Sequence, residues 1–95
     1  MLSSCRACVT GDGGACHAEY DACLGVPKCK ELIACGLETG CLVLPTVQER
    51  LLCADPCFKK VGILDTADPG LTAGLNVNVC TLVGPCASAC GGTGM

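Results

Sequence analysis

Cysteine dominates this sequence. Twelve of its 95 residues are cysteines, Cys5, Cys8, Cys16, Cys23, Cys29, Cys35, Cys41, Cys53, Cys57, Cys80, Cys86 and Cys90. So high a density in a short chain signals a disulfide scaffold. The even count allows six bridges with no thiol left over. The rest of the composition explains why cross-links are needed. There is no Trp, one Phe (Phe58) and one Tyr (Tyr20), while thirteen glycines raise the entropy lost on folding. A single domain over residues 1–95 is the expected organisation, and a chain of this size buries only about 60–65% of its unfolded surface. Disulfides persist in oxidising surroundings. The expected location is therefore extracytoplasmic: a periplasm, a cell surface, an organelle lumen or an intermembrane space.

The cysteines form two groups around a cysteine-free run from Phe58 to Val79. Cys23, Cys29, Cys35 and Cys41 recur every six residues, and C-x3-C occurs at Cys53/Cys57 and again at Cys86/Cys90. Helix signals predominate. ACHAEYDACL, from Ala15 to Leu24, is a run of good helix formers broken by Gly25-Val26-Pro27. Pro27 suits the first turn of a second helix, to Cys35, which Gly36 is expected to end. Thr46-Val47-Gln48-Glu49 has capping-box spacing and announces a third, limited by Pro56. A short last helix is expected from Pro85 to Cys90. Asp65 to Gly74 (DTADPGLTAG) reads as loop, and Leu75 to Val79 alternates weakly, as a strand would. The expected fold class is all-α or mostly α, a small disulfide-rich domain of short helices, in hairpins, with long loops. Antiparallel hairpins pair cysteines in nested order. On that basis Cys23–Cys29 lies near a turn with Cys16–Cys35 further out. Cys53–Cys90 and Cys57–Cys86 then join the two C-x3-C segments, because i and i+4 share a helix face. Cys5, Cys8, Cys41 and Cys80 supply the remaining two bridges.

All fifteen charged residues lie between Arg6 and Asp68, and the last 27 residues, from Pro69, carry none. That length is enough for a membrane span, but Asn76, Asn78, Pro85, the glycines and three cysteines speak against a transmembrane helix. Two readings remain open. The segment is the buried C-terminal part of a small domain, or part of it is covered by a protein partner or rests against a membrane complex. In the second reading Leu71, Leu75, Val77, Val79, Leu82 and Val83 are the contact candidates.

Net charge is −3 and pI near 4.8, without the basic footprint of a nucleic-acid binder. No enzyme is expected, no cofactor and no small-molecule substrate. A serine or cysteine hydrolase would have to use His17, the only histidine. The carboxylates Glu19, Asp21, Glu31, Glu38 and Glu49 belong to solvated helix faces. Cys5-Arg6-Ala7-Cys8 lacks the βαβ setting of a redox pair, and Val9 stands where a c-type haem site needs His. Gly11-Asp12-Gly13-Gly14 has no lysine and reads as a turn. The competing functional class is a thiolate metal protein holding zinc, copper or an iron–sulfur cluster. Against it stand the dominant cysteine spacings and the lack of a second C-x2-C.

The ordered run of C-x2-C, Cys16-HAEYDA-Cys23, Cys29-KELIA-Cys35, C-x3-C and Cys80-x5-Cys86-ASA-Cys90-Gly91 resembles the cysteine-rich secreted and lipoprotein domains of myxobacteria and related bacteria. The likeness spans nearly the whole chain by cysteine spacing, departing at Pro56 and in lacking a leader. Leu2-Ser3-Ser4-Cys5 likewise looks like a lipoprotein cleavage box without its upstream apolar stretch. The resemblance implies an envelope location and no activity. The paired C-x3-C is also similar to helical hairpins of the mitochondrial intermembrane space, over two short helices only. The function expected is a non-catalytic structural or interaction protein, a small accessory subunit docking through its uncharged C-terminal third on a larger assembly.

Overall fold

Local propensity and disulfides together set where the helices run. The computed structural model describes residues 2–92, and they form five helices: α1 (Leu2–Thr10), α2 (His17–Leu24), α3 (Cys29–Thr39), α4 (Val47–Val61) and α5 (Pro69–Leu82). A short 3-10 turn, Cys41–Val43, separates α3 from α4. No strand occurs among the described residues. The architecture is the small disulfide-rich helical domain expected from the sequence.

Several elements depart from expectation, and α3 begins at Cys29, so that Pro27 lies before it and not in its first turn. α3 passes through Gly36 and ends at Gly40, whose φ of 80° is the left-handed cap. Gly36 is instead a packing residue, since an added Cβ would stand 3.2 Å from Leu42 Cγ. α4 starts where the capping signal says, with Thr46 Oγ1 accepting from Glu49 N at 3.2 Å. It then runs straight through Pro56 to Val61, although that proline cannot donate to the Leu52 carbonyl one turn back. Disulfides on both sides of the break, at Cys53 and Cys57, hold the turn. The largest correction concerns residues 65–79, expected as loop and weak strand. They contain most of α5, started by Asp68, which accepts from Gly70 N at 2.8 Å, and by Pro69 in the first turn. Val77 points inward between exposed Leu75 and Val79, and its period is helical, because Gly70, Gly74, Val77 and Thr81 share the buried face. The expected helix from Pro85 to Cys90 is a run of turns, and the first helix, α1, was not anticipated.

All twelve cysteines are paired: Cys5–Cys90, Cys8–Cys86, Cys16–Cys80, Cys23–Cys29, Cys35–Cys57 and Cys41–Cys53. Nested order holds, and no bridge crosses another. The expected partners are correct only for Cys23–Cys29, however. Cys16 joins Cys80 rather than Cys35, and neither C-x3-C pairs with the other. Cys53 and Cys57 clasp α4 back onto α3 and its following turn. Cys86 and Cys90 clasp the C-terminal turns onto α1 through Cys8 and Cys5, whose expected bridges lay within the set Cys5, Cys8, Cys41 and Cys80. The physical reason is register: three residues along α1 match four residues of tighter turns running the other way.

α5 packs on α2 and α3, α4 packs on α3, and α1 closes one end. The main core contains seven half-cystines among its twelve buried residues, with Val9, Ile33, Leu37, Leu42 and Val77. Sulfur thus fills the volume that aromatic side chains fill elsewhere. A smaller cluster joins Leu32, Ile63 and the Cys35–Cys57 bridge, with Phe58 and Leu71 against them.

Candidate functional site

Because α4 and α5 both lean on α3 but scarcely on each other, a groove opens between them. Its floor is Leu32, Ile33 and Gly36 of α3. One wall is Leu51, Ala54 and Phe58 of α4, the other Leu71, Gly74 and Leu75 of α5. Gly74 lets α5 approach α3 closely, since a Cβ there would come 2.9 Å from Leu32 Cδ2 and the leucine would have to shift.

The structure divides the six contact candidates. Leu75, Val79 and Val83 are 42%, 54% and 37% exposed, and their spacing of four lines them along one side of α5 and its cap. Leu71 is half-buried against the smaller core. Val77 and Leu82 are corrected: both are core residues, 0% and 5% exposed, because the helical period turns them inward. The sequence reading missed Val47 and Leu51 on α4, exposed by 48% and 43%. Their cue was available, since i and i+4 apolar residues on a capped helix form a stripe. No carboxylate or lysine lines the groove.

Arg50 is the only ionisable residue lining the groove, and it is 2% exposed. Its Nε donates to the Leu44 carbonyl at 2.7 Å. Nη1 donates to Asn78 Oδ1 at 3.2 Å and Thr81 Oγ1 at 2.6 Å, and Nη2 to the carbonyls of Thr81 and Cys90 at 3.1 and 3.3 Å. Burial pulls its pKa down to about 10, well above neutrality, so a cation is held here by neutral acceptors alone. It ties α4 to α5 and to the C-terminal turns, closing one end of the groove. Sequence reasoning placed no weight on Arg50. A single arginine inside a helix carries no local sign that all its acceptors but Leu44 come from residues 28 to 40 positions away.

A second tie joins three helix ends. Lys28, with a left-handed φ of 74°, precedes α3, and its Nζ lies 3.0 Å from both the Gly62 carbonyl and Asp68 Oδ2. The Gly70 N–H first and Lys28 second hold the Asp68 carboxyl below the usual range.

Of the remaining candidates, Glu31 and Glu38 line an open pocket with Lys28 and Lys60. Asp21, Glu31, Glu38 and Glu49 are exposed. His17 begins α2 with Nδ1 buried and without a hydrogen-bond partner among the described residues. Every thiol is consumed in a bridge. Among the described residues no helix is long and apolar enough to cross a membrane. Comparison with family models, curated proteins and solved structures returns no match for this chain.

Proposed function

We propose that this protein is a non-catalytic interaction module of an oxidising, extracytoplasmic compartment. In this reading it is an accessory subunit that docks on a larger protein assembly, luminal or membrane-bound, through α5 and the groove beside it. The observation that carries the reading is the exposed stripe Leu75, Val79 and Val83 along a helix without a single charge, with Leu75 sharing the groove with Leu51 of α4. Contiguous apolar surface of this kind, with the depletion of charge typical of an interface centre, fits a protein partner. Cross-linking supports the same role, because a groove braced by Cys35–Cys57 and Cys41–Cys53 on one side and Cys16–Cys80 on the other loses little entropy on binding. Six bridges fit the proposed compartment.

The test is a pair of exposed substitutions, Leu75→Arg and Val79→Arg, in tagged protein recovered from its native source. Both leave the core untouched, so the disulfide count and far-UV circular dichroism are expected to stay at wild type. A stoichiometric partner is expected to be lost, with affinity falling about 30-fold or more for a change at an interface centre. Wild-type assembly by both variants, or a monomer with no partner, overturns the reading.

A further inference from the structure

Two of the six bridges lie against each other. The Sγ atoms of Cys16, Cys80 and Cys86 all fall within 4.8 Å of one another, and Cys86 is bonded to Cys8 as Cys16 is to Cys80. No other three such donors converge among the described residues. The backbone holds the same four residues along the other two edges of the square: Cys16 N donates to the Cys8 carbonyl at 3.1 Å, and Cys86 N to the Cys80 carbonyl at 3.1 Å. These bonds are made by peptide groups and not by the sulfurs. The four cysteines are therefore gathered twice over, once by covalent bonds and once by peptide hydrogen bonds.

We infer that Cys8, Cys16, Cys80 and Cys86 form a redox-gated metal site: disulfides when oxidised, a four-thiolate site for zinc or a similar soft divalent cation when reduced. This stands apart from the docking role and does not rest on it. A tetrahedral zinc with Zn–S bonds of about 2.3 Å spaces its sulfurs by about 3.8 Å. Of the three clustered sulfurs, those of Cys16 and Cys80 are bonded and part on reduction, Cys86 Sγ already lies within 4.8 Å of both, and Cys8 Sγ, bonded to Cys86, is brought in as the fourth. The surroundings fit a closed structural site, since Cys16 and Cys86 are fully buried, Cys80 is 4% exposed and only Cys8 is half-exposed. The other four bridges stand elsewhere and include Cys5–Cys90, which keeps the two ends of the chain together when the square is opened.

The chemistry balances with an external dithiol as reductant. A first dithiol attacks the Cys8–Cys86 bridge from the accessible Cys8 side and is itself oxidised to a disulfide. Two electrons and two protons pass to the bridge. The freed Cys86 thiolate lies beside the Cys16–Cys80 bridge and exchanges with it, and a second dithiol then completes a four-electron, four-proton reduction to four thiols. A divalent cation binds these as thiolates and displaces their protons to solvent. Oxidation reverses the sequence and expels the ion.

The experiment reduces the intact protein with graded dithiol in the absence of air, adds cobalt(II) as a spectroscopic probe and zinc as competitor, and then alkylates the remaining thiols. The expected result is a species with four opened thiols and one cobalt per chain, showing the intense visible bands of a tetrahedral thiolate complex. Zinc should bleach these bands, and peptide mapping should find alkylation at Cys8, Cys16, Cys80 and Cys86 alone without metal, and protection of those four when the metal is bound. Two variants sharpen it: Cys16→Ser/Cys80→Ser is expected to lose the cobalt bands, and Cys35→Ser/Cys57→Ser to retain them. Bands lost or kept equally in both variants overturn the site. So do alkylation at other cysteines in the metal-free control, a four-thiol species that takes up no metal, and reduction that opens all six bridges together.

Discussion

Arg50 shows how much a single residue carries in a molecule with so little conventional core. A guanidinium buried among neutral acceptors pays a desolvation cost that its hydrogen bonds must offset. Arg50→Met keeps the packing of the stem but leaves the Leu44, Thr81 and Cys90 carbonyls and the Asn78 and Thr81 side chains short of a donor. The expected loss is about 2–4 kcal/mol, measured by guanidinium chloride unfolding with the bridges intact. Arg50→Lys is expected to fall between, because it keeps the charge without the planar fork. A methionine variant as stable as wild type would mean that desolvation cancels the whole network.

Each helix has a start or an interruption that can be weighed separately. α4 carries both. Thr46→Ala removes its cap and is expected to cost about 1 kcal/mol, whereas Pro56→Ala restores a backbone donor in the middle of the helix and is expected to raise the thermal midpoint. A lower midpoint for the alanine variant would show that the proline acts by restricting the unfolded chain. The start of α5 is pH-dependent, with a definite sign. The folded Asp68 carboxyl is held below its unfolded value by the Gly70 N–H and by Lys28. Its contribution is therefore complete above the unfolded pKa and disappears as pH falls through the lower, folded one. Acid titration followed by circular dichroism is expected to show α5 loosening below the ordinary carboxylate range, and Asp68→Asn to flatten that dependence. An unchanged acid profile in the asparagine variant would place the transition elsewhere.

For the whole molecule the governing fact is the non-crossing order of the bridges. Cys5–Cys90, Cys8–Cys86 and Cys16–Cys80 close loops of 85, 78 and 64 residues one inside another. Opening any one leaves the ends tied by its neighbours. Cys5→Ser/Cys90→Ser is thus expected to cost about 2–3 kcal/mol, the entropy of a small ring, rather than the 4–5 kcal/mol or so of a lone bridge over such a span. Removal of all three is expected to cost somewhat more than three times the single change, because the last bridge to go closes a long loop by itself. Additive costs would mean that the bridges act independently. Intact mass provides the simplest check on the count: reduction of six bridges adds twelve hydrogens.

The composition by itself determined that this chain folds as a cross-linked, mostly helical domain, because so few aromatic residues and so many cysteines leave no other way to offset chain entropy. It also determined the start of α4, the break after α2 and the Cys23–Cys29 bridge, all of which depend on neighbours close in sequence. Only the tertiary structure decided the other five bridges, the passage of α4 through Pro56, the inward turn of Val77 and Leu82, and the burial of Arg50. Those outcomes depend on which helices meet, and a local pattern carries no record of partners that lie 12 to 85 residues away.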